Sequence, residues 1–125
     1  MTDYLTLAEI EVIHADQIEH YGGAPGLRDP GQIEAALYRP QTGYYADVIA
    51  EAAALWESLS QNHPFVDGNK RTALAAAYTF LAINRVRMTA GADDLGTFLE
   101  SQYTEGTLGF AVLDAWLRDN TEIAT

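Results

Sequence analysis

Two long apolar segments with helical spacing flank a short stretch that disfavours helix, and this arrangement most constrains the fold. From Ala46 to Gln61, apolar residues recur every three or four positions, which is typical of an amphipathic helix. The second segment, Arg71 to Asn84, is apolar on most of its faces and is predicted to be the central, most buried helix. Between the two, Pro64 and Gly68 disfavour a continuous helix. The sequence therefore predicts two core helices joined by a loop.

Helix start and stop signals predict further helices on both sides of this pair. Thr6 and Glu9 form a capping-box pattern, and Gly22-Gly23 ends the helix that it begins. Asp29 followed by Pro30 begins a second helix. The other signals are an end of that helix at Pro40, an extended piece at 86–88, a helix from Asp93 or Asp94 to Tyr103 that Gly106 breaks, and a last helix at Gly109–Arg118. We expect one all-α domain over residues 1–125, a compact bundle of about six helices.

Composition narrows the functional classes. The 125 residues include 18 acidic and 7 basic ones, and the resulting net charge of -11 disfavours direct binding to nucleic acid. There is no cysteine, which excludes disulfides, thiolate metal ligands and cysteine nucleophiles. The acidic start lacks the basic region of a signal peptide, and no uncharged apolar run reaches membrane-spanning length. We expect a cytoplasmic protein that does not contact the membrane.

The stretch His63–Arg71, HPFVDGNKR, concentrates groups that suit a bound phosphate. The long helix is predicted to begin after Gly68, near Asn69 or Lys70, and a helix N-terminus presents N–H groups and the positive end of the helix dipole. Gly68 leaves room for a phosphate, and Asn69 either caps the helix or binds a ligand. Lys70 and Arg71 add cationic donors, which are electrostatically misplaced at a helix N-terminus unless an anion is bound. The combination predicts an anion site.

Two further side chains of this stretch fit phosphate chemistry. Asp67, beside the anion site, suits magnesium, which often takes one or two carboxylates together with phosphate oxygens. The imidazole of His63 can take a proton from an attacking hydroxyl at neutral pH. Together these residues describe phosphate-linked group transfer to an alcohol.

Each of these residues taken singly also has an ordinary structural interpretation. A lone histidine is usually solvated, an Asp-Gly pair is usually a turn, and adjacent lysine and arginine usually lie on a wet helix surface. Phe65 is interpreted as a core anchor for the loop. His14 and His20 are six residues apart on the first helix, which places them on different faces and argues against a metal pair. No sequence typical of a nucleophile elbow supports hydrolysis by serine.

The stretch His63–Arg71 resembles the signature loop of the Fic/Doc family, and its Doc (death-on-curing) branch in particular. Fic adenylyltransferases usually read H-P-F-x-[D/E]-G-N-G-R-x-x-R, whereas here Lys70 replaces the second glycine and Leu74 stands at the second arginine. Doc-type proteins share the N-K-R form. The segment His20–Leu37, HYGGAPGLRDPGQIEAAL, also looks like the region that precedes the site in Doc toxins. The resemblance therefore covers nearly the whole chain.

This resemblance implies a compact all-α Fic/Doc fold and a protein kinase toxin of a type II toxin–antitoxin system that uses ATP and Mg²⁺. The implied target is a threonine of elongation factor Tu, and its modification blocks translation. By position, His63 would be the catalytic base and Asp67 would hold Mg²⁺. The residues that would bind the ATP phosphates are Gly68, Asn69, Lys70 and Arg71. The family also implies an antitoxin whose disordered C-terminal segment folds into a groove on the toxin.

The two departures from the Fic pattern favour phosphorylation over AMP transfer. Lys70 adds bulk and charge inside the phosphate site, and Leu74 removes a clamp on the outer phosphates, so an inverted nucleotide presenting its γ-phosphate is the first interpretation. AMP transfer to a protein hydroxyl is the alternative, and a non-catalytic member acting only through its antitoxin is a third hypothesis. Ser101–Gly106 also fits the loose pattern of an inhibitory Fic helix. With Leu74 in place of arginine, Glu105 would lack its partner, and its position also fits an ordinary helix end.

Overall fold

Six α-helices form most of the fold, and their order follows the sequence signals. The computed structural model describes residues 1–124, which pack around one hydrophobic core. The elements in chain order are α1 (Leu7–Tyr21), α2 (Pro30–Tyr38), a 3-10 helix (Arg39–Thr42), α3 (Val48–Gln61), α4 (Asn69–Ile83), β1 (Val86–Met88), α5 (Ala92–Glu105), α6 (Phe110–Asp119) and β2 (Thr121–Ile123). The prediction of an all-α fold with about six helices is confirmed. Within residues 1–124, no helix combines the length and the hydropathy that crossing a membrane requires.

Side-chain caps fix where the first helices begin. At α1 the Thr6 hydroxyl accepts a hydrogen bond from the Glu9 N–H (3.2 Å), and the Glu9 carboxylate accepts one from the Thr6 N–H (2.9 Å), so the predicted capping box is confirmed. Asp29 caps α2 by accepting from a first-turn N–H (3.1 Å), with Pro30 at the first helical position. Asp47 caps α3 in the same way (3.0 Å), so this helix begins slightly later than its apolar pattern indicated.

α3, rather than α4, is the most buried helix among the described residues. Nine residues of α3 are buried, including Trp56, against six in α4. The prediction that the second apolar segment is the most buried helix is therefore wrong. α3 contacts α2, the 3-10 helix, α4 and α6, whereas α4 leaves Lys70, Tyr78 and Ile83 exposed. Apolar composition did not distinguish the two helices, because burial depends on how many neighbouring elements surround each one.

α5 begins one residue before the predicted Asp93 and ends two residues after the predicted Tyr103. Gly106, with φ +67°, ends α5 in the left-handed conformation, as its position predicted. α6 begins at Phe110, one residue after the predicted start at Gly109, which is its N-cap. α2, by contrast, passes directly into the 3-10 helix. Pro40 therefore lies within a further helical turn and does not mark the end of the helical segment.

Two short strands join the C-terminal part of the described chain to the turn after α4. β1 was predicted as an extended piece, and it pairs antiparallel with β2, with Val86 opposite Ile123. The Ala124 N–H donates a hydrogen bond to the Arg85 carbonyl (2.9 Å) beside this pair. β2 was not predicted, because three residues directly after a helix show too little alternation to indicate a strand.

The α3–α4 pair presents the connecting loop, residues 62–68, where three other segments meet it. α1 packs against α4, and the segment between α1 and α2 runs beside the loop, where Leu27 pairs with Phe65 in a single antiparallel bridge. α5 reaches the end of α3 through Tyr103, whose hydroxyl lies 3.2 Å from the Ser60 hydroxyl. The fold thus surrounds this loop with groups from α1, α5 and the α1–α2 segment.

The buried alanines of α4 predict that the fold tolerates added volume poorly there. Ala76 is fully buried, whereas Ala82 on the same helix is exposed. Ala76→Leu is expected to lower the free energy of unfolding by about 1–3 kcal/mol, because overpacking forces neighbouring side chains off their preferred rotamers. Ala82→Leu, the matched control, should change it by less than about 0.5 kcal/mol. Urea unfolding followed by circular dichroism measures both, and equal effects would contradict tight packing around Ala76.

Candidate active site

The loop is closed by the side chain of Asn69, the first residue of α4. Its Oδ1 accepts a hydrogen bond from the Phe65 N–H (2.9 Å), and its Nδ2 donates one to the Phe65 carbonyl (3.0 Å). Phe65 is 2% exposed, which confirms it as the core anchor. The sequence left Asn69 as either a cap or a ligand group. In the structure Gly68 is the N-cap, and the Asn69 carboxamide holds the loop backbone.

Gly68 shapes the start of α4. Its φ of +75° is a left-handed conformation that favours glycine, and a Cβ there would lie 3.1 Å from Ile18 Cδ1 and 3.3 Å from Arg71 Nη2. No side chain within residues 1–124 caps this helix end, so the N–H groups of its first turn remain for solvent or a ligand. Such an end attracts an anion because the N–H groups and the helix dipole point the same way.

The predicted site residues lie together around one pocket of about 420 Å³. Its volume is within the range usual for small-molecule sites. The structure thus brings together all six residues proposed from the sequence. Those six are His63, Asp67, Gly68, Asn69, Lys70 and Arg71, and Val66 completes the lining.

Asp67 is held in place by two backbone N–H groups. Its Oδ2 accepts from Ala24 (3.1 Å) and its Oδ1 from Gly68 (2.8 Å). These hydrogen bonds, with the nearby Arg71 guanidinium, hold the pKa of the Asp67 carboxyl below its usual value. The exposed, ionised carboxylate keeps further lone pairs for a hard cation. Residues 1–124 contain no cluster of three or more potential metal ligands, so a Mg²⁺ here would draw its other ligands from phosphate oxygens and water.

The two cations at the start of α4 contact aromatic rings and a backbone carbonyl. Lys70 Nζ lies 4.2 Å from the centre of the Tyr103 ring. Arg71 Nη2 donates to the Gly22 carbonyl (2.8 Å), and its guanidinium lies 5.9 Å from the Tyr21 ring centre. Neither cation forms an ion pair in the described part of the chain, although the protein carries a net charge of -11. Positive charge therefore accumulates where the helix dipole already disfavours it.

His63 has a backbone conformation that its neighbours stabilise. Its φ is +48°, which is uncommon for a residue with a side chain. Arg28 donates from Nε to the His63 carbonyl (2.6 Å) and from Nη2 to the Asn62 carbonyl (2.9 Å), so it also neutralises the C-terminal end of α3. The imidazole is exposed and makes no hydrogen bond to any residue among 1–124, which leaves it available to a ligand hydroxyl.

The α1–α2 segment contributes structure that the sequence did not reveal. The Pro64 carbonyl accepts from the N–H groups of Arg28 (2.8 Å) and Asp29 (2.9 Å), and the Val66 N–H donates to the Gly26 carbonyl (3.1 Å). The turn-rich composition of residues 24–31 was visible, but composition does not say which backbone a loop will pair with. These hydrogen bonds join the α1–α2 segment to the loop between α3 and α4.

His14 on α1 is a second group that sequence reasoning missed. The residue is 5% exposed, and its ring stacks on Phe65 with a centroid distance of 3.8 Å and an interplanar angle of 2°. Its Nε2 donates to the Asp67 carbonyl (2.8 Å). The sequence raised this histidine only as a metal partner of His20. The two do lie on different faces, since His20 is exposed and pairs with Asp16.

Leu74 replaces a cation with an apolar side chain beside the pocket. It lines a mostly apolar groove of about 350 Å³, which also includes Tyr21 and Tyr78 and meets the pocket at Arg71. Glu105 is the exposed last residue of α5, directly before Gly106, so the interpretation as a helix end is confirmed.

An uncapped helix end with two cations, an ionised carboxylate and an accessible imidazole defines a candidate site for phosphate-linked group transfer to an alcohol. Comparison with known proteins agrees. Residues 4–81, more than half of the chain, match the family model described as the Fic/DOC family. The chain therefore belongs to the Fic/Doc family, and the matched range includes the whole loop.

Two relatives extend the match. The chain is 48% identical over 98 residues to "Toxin Doc" of Mycolicibacterium smegmatis, covering 74% of this chain and 73% of the relative. It is 35% identical over 89 residues to "Protein kinase doc" of Escherichia phage P1, covering 68% of this chain and 71% of the relative. Both relatives carry the Doc name, as the N-K-R form of the loop indicated.

The contacts of His14 predict that it stabilises the fold far more than the other histidine of α1. His14→Ala removes both the stack on Phe65 and the hydrogen bond to the Asp67 carbonyl. We expect it to lower the free energy of unfolding by about 2–3 kcal/mol. His20→Ala, the control on the same helix, should change it by less than about 0.5 kcal/mol. Thermal and urea unfolding measure both variants, and similar losses would contradict a structural role for His14.

Proposed function

We propose that this chain is the toxin of a type II toxin–antitoxin system, and that it transfers the γ-phosphate of ATP to a threonine of elongation factor Tu. One observation carries the proposal. Lys70 and Arg71 lie at an uncapped helix end and form no ion pair within residues 1–124, and the same pocket holds Asp67 and His63. A triphosphate would convert this unfavourable concentration of charge into a favourable one. The names of the two relatives support the toxin and kinase parts.

The proposed reaction assigns one task to each group. The first-turn N–H groups of α4, Lys70 and Arg71 bind the phosphates, and Asp67 binds Mg²⁺, which would neutralise charge on the phosphate oxygens. His63 accepts the proton of the threonine hydroxyl. The hydroxyl oxygen forms a bond to the γ-phosphorus, the bond from that phosphorus to the β–γ bridging oxygen breaks, and ADP leaves. Asn69, Arg28 and His14 hold the loop that carries these groups.

Leu74 favours γ-phosphate transfer over the alternative, transfer of AMP. The Fic pattern has an arginine there to hold outer phosphates, whereas in this chain the position lines an apolar groove. With Leu74 in place of that arginine, Arg71 is the one cation among the residues that line the groove, whereas His63 and Lys70 lie at the other end of the phosphate pocket. The charged terminus of ATP is therefore best placed towards His63 and Lys70. The nucleoside end then points towards Arg71 and the groove. A non-catalytic member remains the third hypothesis, and it predicts that Asp67→Ala leaves toxicity intact.

The antitoxin is the proposed protein partner. The groove beside Arg71 is lined by apolar and aromatic side chains from α1, α4, β1 and α5. An amphipathic segment that folds on binding would find there the apolar anchors that helix-in-groove recognition uses. Because the groove and the phosphate pocket share Arg71, a segment bound there would also obstruct the nucleotide. Inhibition by obstruction is the mechanism that this arrangement favours.

The proposal predicts which phosphate of ATP labels the acceptor. Incubation of the protein with elongation factor Tu and Mg²⁺ should transfer label from γ-labelled but not from α-labelled ATP. His63→Ala should reduce the rate by about 10²–10⁴-fold, the usual contribution of a general base. Because His63 is exposed, the variant should keep its fold, which circular dichroism checks.

Expression supplies the second measurement for the same variants. Wild-type protein produced without an antitoxin should stop growth, and His63→Ala should relieve the arrest. Transfer of label from α-labelled ATP would establish AMP transfer instead and would contradict the kinase proposal. Growth arrest that persists in Asp67→Ala would support the non-catalytic hypothesis.

A further inference from the structure

A second pocket, here called the α3–α5 pocket, opens next to the phosphate pocket. It has a volume of about 210 Å³ and lies between the end of α3 and the end of α5, and Leu108 is part of its lining. His63 and Lys70 line both pockets, so the two pockets adjoin at the proposed catalytic base.

Two carboxamide side chains line this pocket, and in each of them one of the two polar atoms already forms a hydrogen bond within the protein. Gln61 Nε2 donates to the Leu108 carbonyl (3.0 Å), which leaves Gln61 Oε1 as an acceptor. Gln102 Oε1 accepts from the Thr107 hydroxyl (2.6 Å), which leaves Gln102 Nε2 as a donor. These two carboxamides thus present a free acceptor, Gln61 Oε1, and a free donor, Gln102 Nε2, and a hydrogen bond to the protein holds each side chain in place. A peptide group, with its N–H and C=O, is the complementary pair.

The remaining wall is polar but carries no acidic group. Tyr103 lies between the Ser60 hydroxyl and the Lys70 ammonium, and burial raises the pKa of its phenol, so it stays neutral. None of the lining residues is aspartate or glutamate, although 18 of the 125 residues of the chain are acidic. Because its lining includes Lys70 and no carboxylate, this pocket would not repel an acidic polypeptide, although the protein as a whole is acidic.

The order of the three cavities indicates what the α3–α5 pocket binds. Arg71 joins the apolar groove to the phosphate pocket, and His63 and Lys70 join the phosphate pocket to the α3–α5 pocket. For γ-phosphate transfer, the nucleoside points away from His63 and the acceptor hydroxyl must reach it. The acceptor then has to approach from the α3–α5 side.

We infer that the α3–α5 pocket is the acceptor subsite. It would bind an extended polypeptide segment next to the hydroxyl-bearing residue, with a peptide group held between Gln61 Oε1 and Gln102 Nε2. This inference rests on the proposed kinase function and adds to it the surface that selects the protein substrate. Gln61 and Gln102 would act in substrate binding, while the chemistry stays with His63.

Steady-state kinetics with separately varied substrates tests the inference. Gln102→Glu keeps the size of the side chain and the bond to the Thr107 hydroxyl but removes the free donor. We expect it to raise KM for elongation factor Tu roughly three- to tenfold and to leave KM for ATP within about twofold of wild type. Gln61→Ala should act in the same direction. Tyr78→Ala, in the apolar groove, is the matched control and should change KM for ATP but not for elongation factor Tu.

The outcomes separate this inference from the proposed function. A wild-type protein that transfers no γ-phosphate would overturn both. If wild type is active and Gln102→Glu and Gln61→Ala leave both KM values unchanged, the acceptor subsite is wrong and the kinase proposal stands. If the two variants raise KM for ATP instead, the pocket binds the nucleoside and the orientation of ATP is reversed. Calorimetry with the non-hydrolysable analogue AMP-PNP, in the absence of acceptor, measures the nucleotide affinity of each variant independently of the kinetics.

Discussion

The pair of hydrogen bonds between the Asn69 carboxamide and the backbone of Phe65 is the constraint on which the site depends. A chain that leaves one helix and enters another over seven residues has many possible paths. The carboxamide selects one path, because it satisfies both backbone groups of Phe65 from the first residue of α4. Phe65 is at the same time buried in the core, so the loop is fixed from both sides. Asp67 and Gly68 are thereby held at the helix end.

Around this constraint, hydrogen bonds to backbone groups, rather than ion pairs, arrange the site. Backbone N–H groups fix Asp67, a buried imidazole holds its carbonyl, and Arg28 acts on carbonyls rather than on a carboxylate. The cations of the pocket thus keep their charge available, although most of the chain is acidic. Arg118, by contrast, forms ion pairs with Asp47 and Asp114, so its charge is already paired within the protein. Whether an arginine of this protein can bind an anion thus depends on where it lies in the fold.

Much of the fold and most of the site could be predicted from local signals. The caps at Thr6 and Asp29 and the left-handed glycine at Gly106 depend only on neighbouring residues, and they appear where the sequence placed them. The site residues were identifiable because they are contiguous and because two cations at a helix start demand an explanation. The burial of α3, the role of His14 and the pairing of the two loops depend on contacts between distant segments. Periodicity and composition carry no information about those contacts.

α5 differs from the other helices in a way that affects how the molecule moves. None of its residues is buried, although it supplies Tyr103 and Gln102 to the wall beside the catalytic loop. Helices with little buried surface belong to the low end of the distribution of local opening energies. In hydrogen-exchange measurements the amides of α5 should therefore exchange long before those of α3. The wall of the site that α5 forms would then be adaptable, while the opposite wall, which is built on α3, stays rigid. Partners of different shape could then bind next to the same catalytic groups.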